Sequence, residues 1–522
     1  MSAADQIAGL DLGIVAVYFV VVLAIGFWVA ARTKTGDDLF LAGRSLGWWA
    51  IGFSLFASNI SSTTLIGLAG AAYTSGISVS NYEWMAALIL VFFAIYYIPV
   101  YVRGRIATVP EFLELRFDRR SRAYFSALTI LTNVVVDTAG SLFAGAMVLL
   151  TFFPEIDLYT TCAALALVAG LYTAAGGLAA VVYTDVIQAI VLLVGSSIVA
   201  WILFGKVDHN WARVVAATPP GMLSVIRPLD DPNLPWLGTL IGVPVLGFYF
   251  WCTNQFIVQR VLGARGVDHA RWGALFGGVL KLPVLFIMVL PGTMARLVFP
   301  NLERGDMVFP TLITHMLPPG ATGLVLAGLI AAIMSSIDST LNSASTLVTL
   351  DFILPRRPDM TPKQTARVGR IAIVAIMIFA ALWAPQIAHF EGLFNYLQAM
   401  LSYIVPPVAA LFIVGMFWSR ATPGAGFYTM LVGHGVSIAT FVLQRTGVIP
   451  DVHFTIVAGV LFAVSCALLV LLSLREPASA AKPWPPAAPA EPGPEGKGGI
   501  FDYRVLSGIL VALTVALVLS FW

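Results

Sequence analysis

Charged residues are scarce in this sequence. Only 11% of its 522 residues are Asp, Glu, Lys or Arg, whereas roughly 25% are charged in an ordinary soluble domain. The hydrophobic share is 59% and the mean hydropathy is +0.90. A soluble protein of this length needs more charge to keep its surface in water. The composition therefore excludes a soluble protein of this length and indicates that most of the chain lies in lipid.

Cysteine and histidine are also scarce, with three and six residues. Cys162, Cys252 and Cys466 lie in separate apolar runs, and no Cys or His shows the spacing of a metal site. We therefore expect no disulfide framework, no zinc site and no cofactor.

The excess of positive charge is small as well. A net charge of +2, with the arginines in short clusters between apolar runs, does not provide the basic face of a nucleic-acid-binding protein. A nucleophile, a base and an orienting group do not cluster in the sequence either. The sequence thus predicts neither a nucleic-acid partner nor an enzyme.

Long apolar runs, in contrast, are abundant. About 20 helical residues cross a hydrocarbon core of roughly 30 Å, and fourteen runs are close to that length or longer. Because a chain in lipid must satisfy its own backbone hydrogen bonds, such runs are typical of helices. We predict an all-α polytopic membrane protein with about 14 transmembrane helices.

The basic residues predict the orientation of these helices. Most of the 29 Lys and Arg residues fall on the inner side if both termini lie outside. The segment 476–504 is rich in Pro, Ala and Gly and is predicted to be a flexible inner linker before a C-terminal helix over 505–522. The Ala, Arg, Gly and Pro bias and the lack of long outer domains favour a bacterial inner membrane.

Polar residues interrupt two of the runs at membrane depth. Residues 59–64 (Asn-Ile-Ser-Ser-Thr-Thr) lie within the second predicted helix, and residues 251–255 (Trp-Cys-Thr-Asn-Gln) within the seventh. Small hydroxyl side chains compete for backbone hydrogen bonds, so a helix can unwind there and free its carbonyl groups. Helices that are five apart run antiparallel, which is what an inverted repeat of five helices requires.

A polar stripe follows one face of the ninth predicted helix. Ser335, Ser336 and Ser339 recur at helical spacing with Asp338 beside them, and Asp185 lies at the inner end of the sixth helix. A hydroxyl stripe can also serve close packing between membrane helices. Carboxylates next to hydroxyl oxygens, however, suit a small hard cation such as sodium, so we predict a cation site here.

Three further charges lie within apolar runs. Lys281 is too deep in its run to reach the membrane surface easily, so it needs a partner. A pair of opposite charges facing a cavity would also bind the hydroxyl groups of a solute. Glu83 opens the third helix, where it is either such a group or an interfacial residue, and Asp137 has no assigned role.

Several blocks of sequence make the chain similar to the sodium:solute symporter family, and within it to the sodium/glucose cotransporters. The resemblance extends from residues 38–44 (Asp-Leu-Phe-Leu-Ala-Gly-Arg) to residues 415–418 (Gly-Met-Phe-Trp). The most specific blocks lie at residues 57–60, 176–181, 184–188, 251–255, 258–260, 335–336 and 341–346.

This resemblance implies a domain organisation. A ten-helix core of two inverted five-helix repeats, which is a LeuT-like fold, would occupy residues 48–418. A flanking helix would precede it in residues 1–47, and two more would follow in residues 419–475.

The resemblance also implies two sodium sites. The main site would use the oxygen atoms of Ala57, Ile60, Ala332, Ser335 and Ser336. A further site, present in some relatives, would use Asp185, Ser335, Asp338 and Ser339. Many members have a hydroxyl residue in place of Asp338, so the number of sodium ions per cycle stays open.

The sugar-binding members imply a solute site. Its hydrogen bonds would come from Asn59, Glu83, Lys281 and Gln398. A polar sugar contact of some members falls on Thr64. The aromatic gate, commonly Tyr, is Phe250 here and is followed by Trp251. A Phe ring still covers a sugar but lacks the hydroxyl, so the exact sugar stays open.

We therefore predict a symporter that couples inward sodium flow to the uptake of a neutral sugar, a hexose such as glucose or galactose. Its partners would be sodium, the sugar and the lipid bilayer. One alternative is another solute, such as myo-inositol, an amino acid or sialic acid. Another, from a different class, is a membrane sensor that binds a solute without moving it.

Overall fold

The computed structural model describes residues 8–60, 62–152, 155–302, 305–389, 393–484 and 501–522. For residues 62–63, 151–152, 172, 175, 306, 388–389 and 393–399 it describes the backbone only. Over the described ranges the chain is almost entirely helical and contains no β-strand. The all-α architecture predicted from the apolar runs is confirmed.

The helices of the membrane part are labelled in chain order. They are α1 (Gly9–Ala30), α2 (Trp48–Asn59), α3 (Ser62–Ser75), α4 (Ile77–Arg103), α5 (Arg119–Leu150), α6 (Leu158–Leu171), α7 (Gly176–Gly205), α8 (Trp236–Thr253), α9 (Gln255–Leu262), α10 (Val267–Val298), α11 (Ala321–Arg356), α12 (Pro362–Ile387), α13 (Leu393–Phe417), α14 (Pro423–Arg445), α15 (Phe454–Arg475) and α16 (Tyr503–Ser520). Short helices connect some of them, namely Gly36–Leu41, Val109–Arg116, Trp211–Ala217 and Val308–Met316.

The number of membrane helices agrees with the sequence. In the described ranges, 12 helices are long and apolar enough to cross a membrane, and the bent pair of α2 and α3 makes a thirteenth. The remaining predicted span corresponds to α6, which is apolar but shorter. Each of the fourteen predicted runs therefore corresponds to a helix of the structure. The chain is a multi-pass membrane protein.

The two polar interruptions break their helices. The axes of α2 and α3 differ by 57°. Ile60 between them has a non-helical conformation, with ψ of 78°. Asn254, between α8 and α9, has an extended conformation with ψ of 122°. Both breaks thus occur at the predicted positions.

A third break lies in the first residues of α7, at Gly177, whose φ is +59°. A Cβ atom at this position would lie only 2.3 Å from the carbonyl oxygen of Leu39 in the short helix Gly36–Leu41. Glycine alone combines a readily accessible positive φ with room for that carbonyl group. Gly177 therefore allows the fifth and sixth predicted spans to meet and to pack on this short helix.

Helix α11 lies at the centre of the bundle. Its most apolar window is 94% buried, compared with 17% for α16 at the periphery. It packs against α1, α2 and α7, and its many small residues allow this close approach. Its Ser, Asn and Asp side chains must therefore find partners inside the protein.

One end of α11 is held by a residue of α1. Asp11 is fully buried, and its carboxylate accepts hydrogen bonds from the backbone N–H groups of Gly320 and Gly323, each at 2.7 Å. The first N–H groups of a helix have no partner within it, and a carboxylate there also interacts favourably with the helix dipole. The flanking helix is thus attached to the central one.

Three arginines that the sequence places in inner loops are buried, namely Arg116, Arg260 and Arg271. Arg116 donates to the carbonyl group of Gly415 at 2.7 Å, and Arg271 donates to that of Ala94 at 3.1 Å. These two side chains therefore satisfy backbone carbonyl groups inside the protein.

Much of the predicted linker 476–504 lies outside the described residues. Its described first part packs on the protein. Lys482 donates to the carbonyl oxygen of Glu114 at 2.6 Å, and the Trp484 indole donates to that of Met416 at 3.0 Å. The segment is therefore attached to the helical bundle as far as Trp484.

Candidate functional site

A cavity of about 190 Å³ lies where the broken helices meet. Residues from α2, α3, α4, α5, α8, α9, α11 and α13 line it, so both predicted repeats contribute. Its polar lining consists of Ser58, Asn59, Thr64, Tyr82, Glu83, Asp137, Ser141, Tyr249, Ser336 and Thr340.

Glu83 and Lys281 form an ion pair at this cavity. The Lys281 Nζ atom lies 2.6 Å from Glu83 Oε2 and also donates to the side-chain oxygen of Asn59. Lys281 is fully buried, and a buried charge is tolerated only when it is paired. The partner that the sequence requires for Lys281 is thus Glu83. The same ammonium group also orients Asn59.

Aromatic side chains of α8 form another part of the wall. Tyr249, Phe250 and Trp251 all line the cavity, and the rings of Phe250 and Trp251 are 5.1 Å apart in an edge-to-face arrangement. These three residues follow one another in a π-helical turn, a feature frequent at functional sites. Phe250 lacks a hydroxyl group, but its neighbour Tyr249 carries one. The sequence did not predict Tyr249 as a residue of the site.

The structure describes the side chain of only one of two further predicted solute contacts, Thr64 and Gln398. Thr64 lines the cavity, and its hydroxyl group donates to the carbonyl oxygen of Asn59 at 3.1 Å across the break between α2 and α3. The side chain of Gln398 lies outside the described residues, although its backbone belongs to α13.

The residues of the implied main sodium site lie on two helices in contact. Ala57 and Ile60 are at the end of α2, where backbone carbonyl groups have no partner within the helix. Ser335 and Ser336 are on α11, which packs against α2. The Ser336 hydroxyl group donates to the Ala332 carbonyl oxygen at 3.1 Å. The predicted oxygen ligands are therefore distributed over both sides of one helix contact.

Asp185 is the centre of a buried polar cluster. It accepts hydrogen bonds from Ser54 at 2.5 Å, from Ser58 at 3.1 Å and from Ser335 at 2.6 Å. The guanidinium group of Arg260 lies 3.3 Å from the same carboxylate and also donates to Ser54 and Ser58. Arg260 is 1% exposed, so this is a buried ion pair.

Ser339 and Asp338 extend this cluster along α11. The Ser339 hydroxyl group lies 3.2 Å from an Asp338 oxygen and accepts a hydrogen bond from Arg260. Arg260 thus supplies a positive charge beside two carboxylates for which the sequence predicted only sodium. Arg260 belongs to residues 258–260, one of the sequence blocks shared with the family. The sequence did not predict its role, because an Arg at the end of an apolar run is ordinarily assigned to the following loop. A sodium ion bound by Asp185 and Asp338 stays a prediction.

A second cavity, of about 1370 Å³, shares Tyr82 with the first and is lined by the ends of α3, α14 and α15 and by residues 229–234. It leads to the side that the basic residues predict to be outside. Burial raises the pKa of Asp231 at its rim, but hydrogen bonds from the N–H groups of Leu234 and Asn233 and from Arg227 outweigh burial and hold that pKa below its usual range. Asp231 is therefore an ionised carboxylate that is paired with Arg227 at 2.8 Å.

These features define a class of protein. Two helices broken at membrane depth, five spans apart, meet at a polar cavity beside a central helix rich in hydroxyl groups. Broken helices with ligand oxygens at their ends are typical of secondary active transporters built from inverted repeats.

The chain belongs to the sodium:solute symporter family, which matches residues 39–433. It is therefore a sodium-coupled membrane transporter of a small solute and not an enzyme. Sodium is its co-transported ion.

Its relatives include two named for glucose. Sodium/glucose cotransporter 4 of Danio rerio is 34% identical over 515 residues, which cover 89% of this chain and 78% of the relative. Sodium/glucose cotransporter 1 of Oryctolagus cuniculus is 32% identical over 520 residues, with the same two coverages. Sodium/myo-inositol cotransporter 2 of Bos taurus is 33% identical over 521 residues, which cover 90% of this chain and 77% of the relative.

Solved structures share the fold. A Na⁺-coupled sialic acid symporter in a substrate-bound outward-open state is 24% identical with a TM-score of 0.79, and the match covers 91% of this chain and 99% of that one. A nucleobase-cation-symport-1 family transporter in a closed conformation is 15% identical with a TM-score of 0.60, covering 85% and 96%. These structures confirm the LeuT-like fold.

Proposed function

We propose that this symporter imports a neutral sugar, a hexose such as glucose or galactose. The observation that carries this proposal is the pairing of Glu83 with Lys281 beside Asn59. Each sugar hydroxyl group both donates and accepts hydrogen bonds. Paired charges and amides therefore bind several hydroxyl groups without requiring a charged solute, and Gln398 would add a second amide.

The paired charges also separate the alternatives. A carboxylated solute, such as the sialic acid named for one structural neighbour, or an amino acid would need a cation that is free to bind it. The ammonium group of Lys281 is already bonded to Glu83. Myo-inositol is the nearest alternative because it is also a neutral polyol and because one relative is named for it.

The two relatives named for glucose support the hexose. Thr64, Phe250 and Trp251 would complete the site, since all three line the cavity. The ring of Trp251 offers an apolar face beside the polar groups.

Sodium would couple to the sugar through the contact between α2 and α11. An ion held by Ala57, Ile60, Ala332, Ser335 and Ser336 would hold the end of α2 against α11. Ser336 lies in the cavity lining as well. An ion bound there would therefore favour the conformation in which the sugar site is complete, because a ligand shifts a population only towards the state that it binds better.

The topology belongs to the same proposal. Both termini would lie outside a cell membrane, with the transport core in residues 48–418 and the flanking and linker segments as predicted above. A C-terminal tag accessible only to an outside protease would test this placement. A bacterial inner membrane is a prediction from composition alone, and the relatives named above come from vertebrates.

The test of function is an uptake assay with purified protein in liposomes. Glucose, galactose, myo-inositol, sialic acid and a neutral amino acid are each offered with and without an inward sodium gradient. We expect concentrative uptake of a hexose only with sodium. Uptake of sialic acid or the amino acid with no hexose uptake would refute the sugar assignment, and solute binding without uptake would favour a sensor.

A further inference from the structure

The two carboxylates that line the cavity differ in their contacts. Glu83 is paired with Lys281 at 2.6 Å. Asp137 is partly accessible and forms no hydrogen bond or ion pair with any residue that the structure describes. Since Lys281 already balances Glu83, Asp137 is the carboxyl group of the described lining that has no basic partner.

The backbone around Asp137 is held in place. Asp137 lies in a π-helical turn of α5, Asn133–Thr138. The residues at the two ends of this turn both bond α11: Asn133 donates to Ser343 at 2.8 Å, and the hydroxyl groups of Thr138 and Thr340 lie 2.6 Å apart. The turn is therefore fixed to the central helix while Asp137 itself faces the cavity.

We propose that Asp137 contacts the solute directly and determines the charge of the solutes that this transporter accepts. The inference rests on the proposed function and narrows its substrate class to neutral and amine-bearing sugars, with sugar acids excluded. An ionised carboxylate only accepts hydrogen bonds, and it does so from hydroxyl and ammonium groups. A solute carboxylate would be repelled, because charges are weakly screened at a site away from bulk water.

The attachment of this turn to α11 links the predicted solute site to the predicted sodium site. Ser336 and Thr340 of α11 line the same cavity as Asp137, and Thr340 is bonded to the turn through Thr138. A solute held by Asp137 is thus connected through one hydrogen bond to the helix that carries the predicted sodium ligands.

The test compares three solutes with one ring and three charges. Glucose, glucosamine with its amine protonated, and glucuronate are titrated into purified protein in sodium buffer, and binding is measured by calorimetry. We expect the wild type to bind glucosamine far more tightly than glucuronate. Asp137→Asn, which keeps the size of the side chain, should reduce the ratio of the two affinities roughly tenfold or more.

Two variants serve as controls. Asp137→Glu keeps the charge and should keep the order of the three solutes. Ser141→Ala changes a neutral residue of the same lining and should alter all three affinities by a similar factor. Sodium-dependent thermal stabilisation of each variant shows that it is folded.

The outcomes separate this inference from the proposed function. An unchanged affinity ratio in Asp137→Asn overturns the inference, and so does a change in sodium dependence alone, which would make Asp137 an ion ligand. If glucose does not bind but the preference for glucosamine is lost in Asp137→Asn, glucose is not the solute and the inference stands. If none of the three solutes binds the wild type, both are overturned.

Discussion

Lys281 of α10 and Glu83 of α4 are 198 residues apart in the chain, yet they form a buried ion pair of 2.6 Å beside the central cavity. Taking two charges out of water is costly, so such a pair is poor evidence for stability. Its value here is the orientation of polar groups towards the cavity, because Lys281 also bonds Asn59.

Glu83→Gln should therefore affect both stability and binding. The variant leaves the ammonium group of Lys281 buried without a carboxylate partner, which costs about 3–5 kcal/mol. Loss of a polar contact to the sugar costs about 1–3 kcal/mol, or roughly a tenfold to hundredfold loss in affinity. Thermal unfolding and calorimetric titration with the transported sugar measure the two effects separately.

The double variant Glu83→Gln, Lys281→Met is the control for this prediction. Removal of both charges should recover most of the lost thermal stability, because no unpaired charge remains. Sugar affinity should stay low. A double variant less stable than either single variant would show that the two side chains act independently.

Gly177→Ala should destabilise the protein by about 1–3 kcal/mol through its positive φ alone. Steric overlap with the Leu39 carbonyl group would add to this, since the new Cβ atom would lie 2.3 Å from it. Gly508→Ala in α16 is the matched control, because a Cβ atom there has nothing within 4 Å. Equal melting temperatures for the two variants would contradict the argument.

The breaks could be predicted from the sequence because their cause is local. Residues 59–64 and 251–255 carry small polar side chains at membrane depth, and such residues weaken a helix wherever it packs. The sequence also predicted that Lys281 has a partner, because a charge so far from the membrane surface must be paired inside the protein.

Other parts of the site depend on packing that a single sequence does not display. Arg260 lies near a helix end, where most arginines face water or head groups, and only the arrangement of α2, α7 and α11 around it makes it a buried partner of Asp185. Asp137 and Tyr249 both lie in π-helical turns. The extra residue in such a turn changes which side chains face the cavity, so regular helical spacing does not predict them.

Ser336→Ala should raise the sodium concentration that gives half-maximal uptake. The variant removes one predicted oxygen ligand, and a bond to a charged group is worth about 1.5–3 kcal/mol, or roughly tenfold or more in affinity. Sodium titration of sugar uptake in liposomes measures the shift. Ser345→Ala on the same helix is the control, since that hydroxyl group donates to the Gly369 carbonyl oxygen at 2.8 Å. Full uptake driven by a proton gradient in sodium-free buffer would contradict the sodium site itself.

Asp338→Asn should reduce the number of sodium ions moved per sugar without abolishing sugar binding. Arg260 carries one positive charge and lies 3.3 Å from Asp185. A sodium ion shared by Asp185 and Asp338, as predicted from the sequence, would lose one of its two carboxylate ligands in this variant. The ratio of charge flux to sugar flux at fixed membrane potential measures this directly.

The control for Asp338→Asn is Asp351→Asn. Asp351 is a carboxylate of the same helix that is bonded to Arg122 at 2.6 Å, so its replacement should lower stability and leave the flux ratio as in the wild type. If the flux ratio of Asp338→Asn is also unchanged, Arg260 is sufficient for both carboxylates. Asp338 then has a structural role.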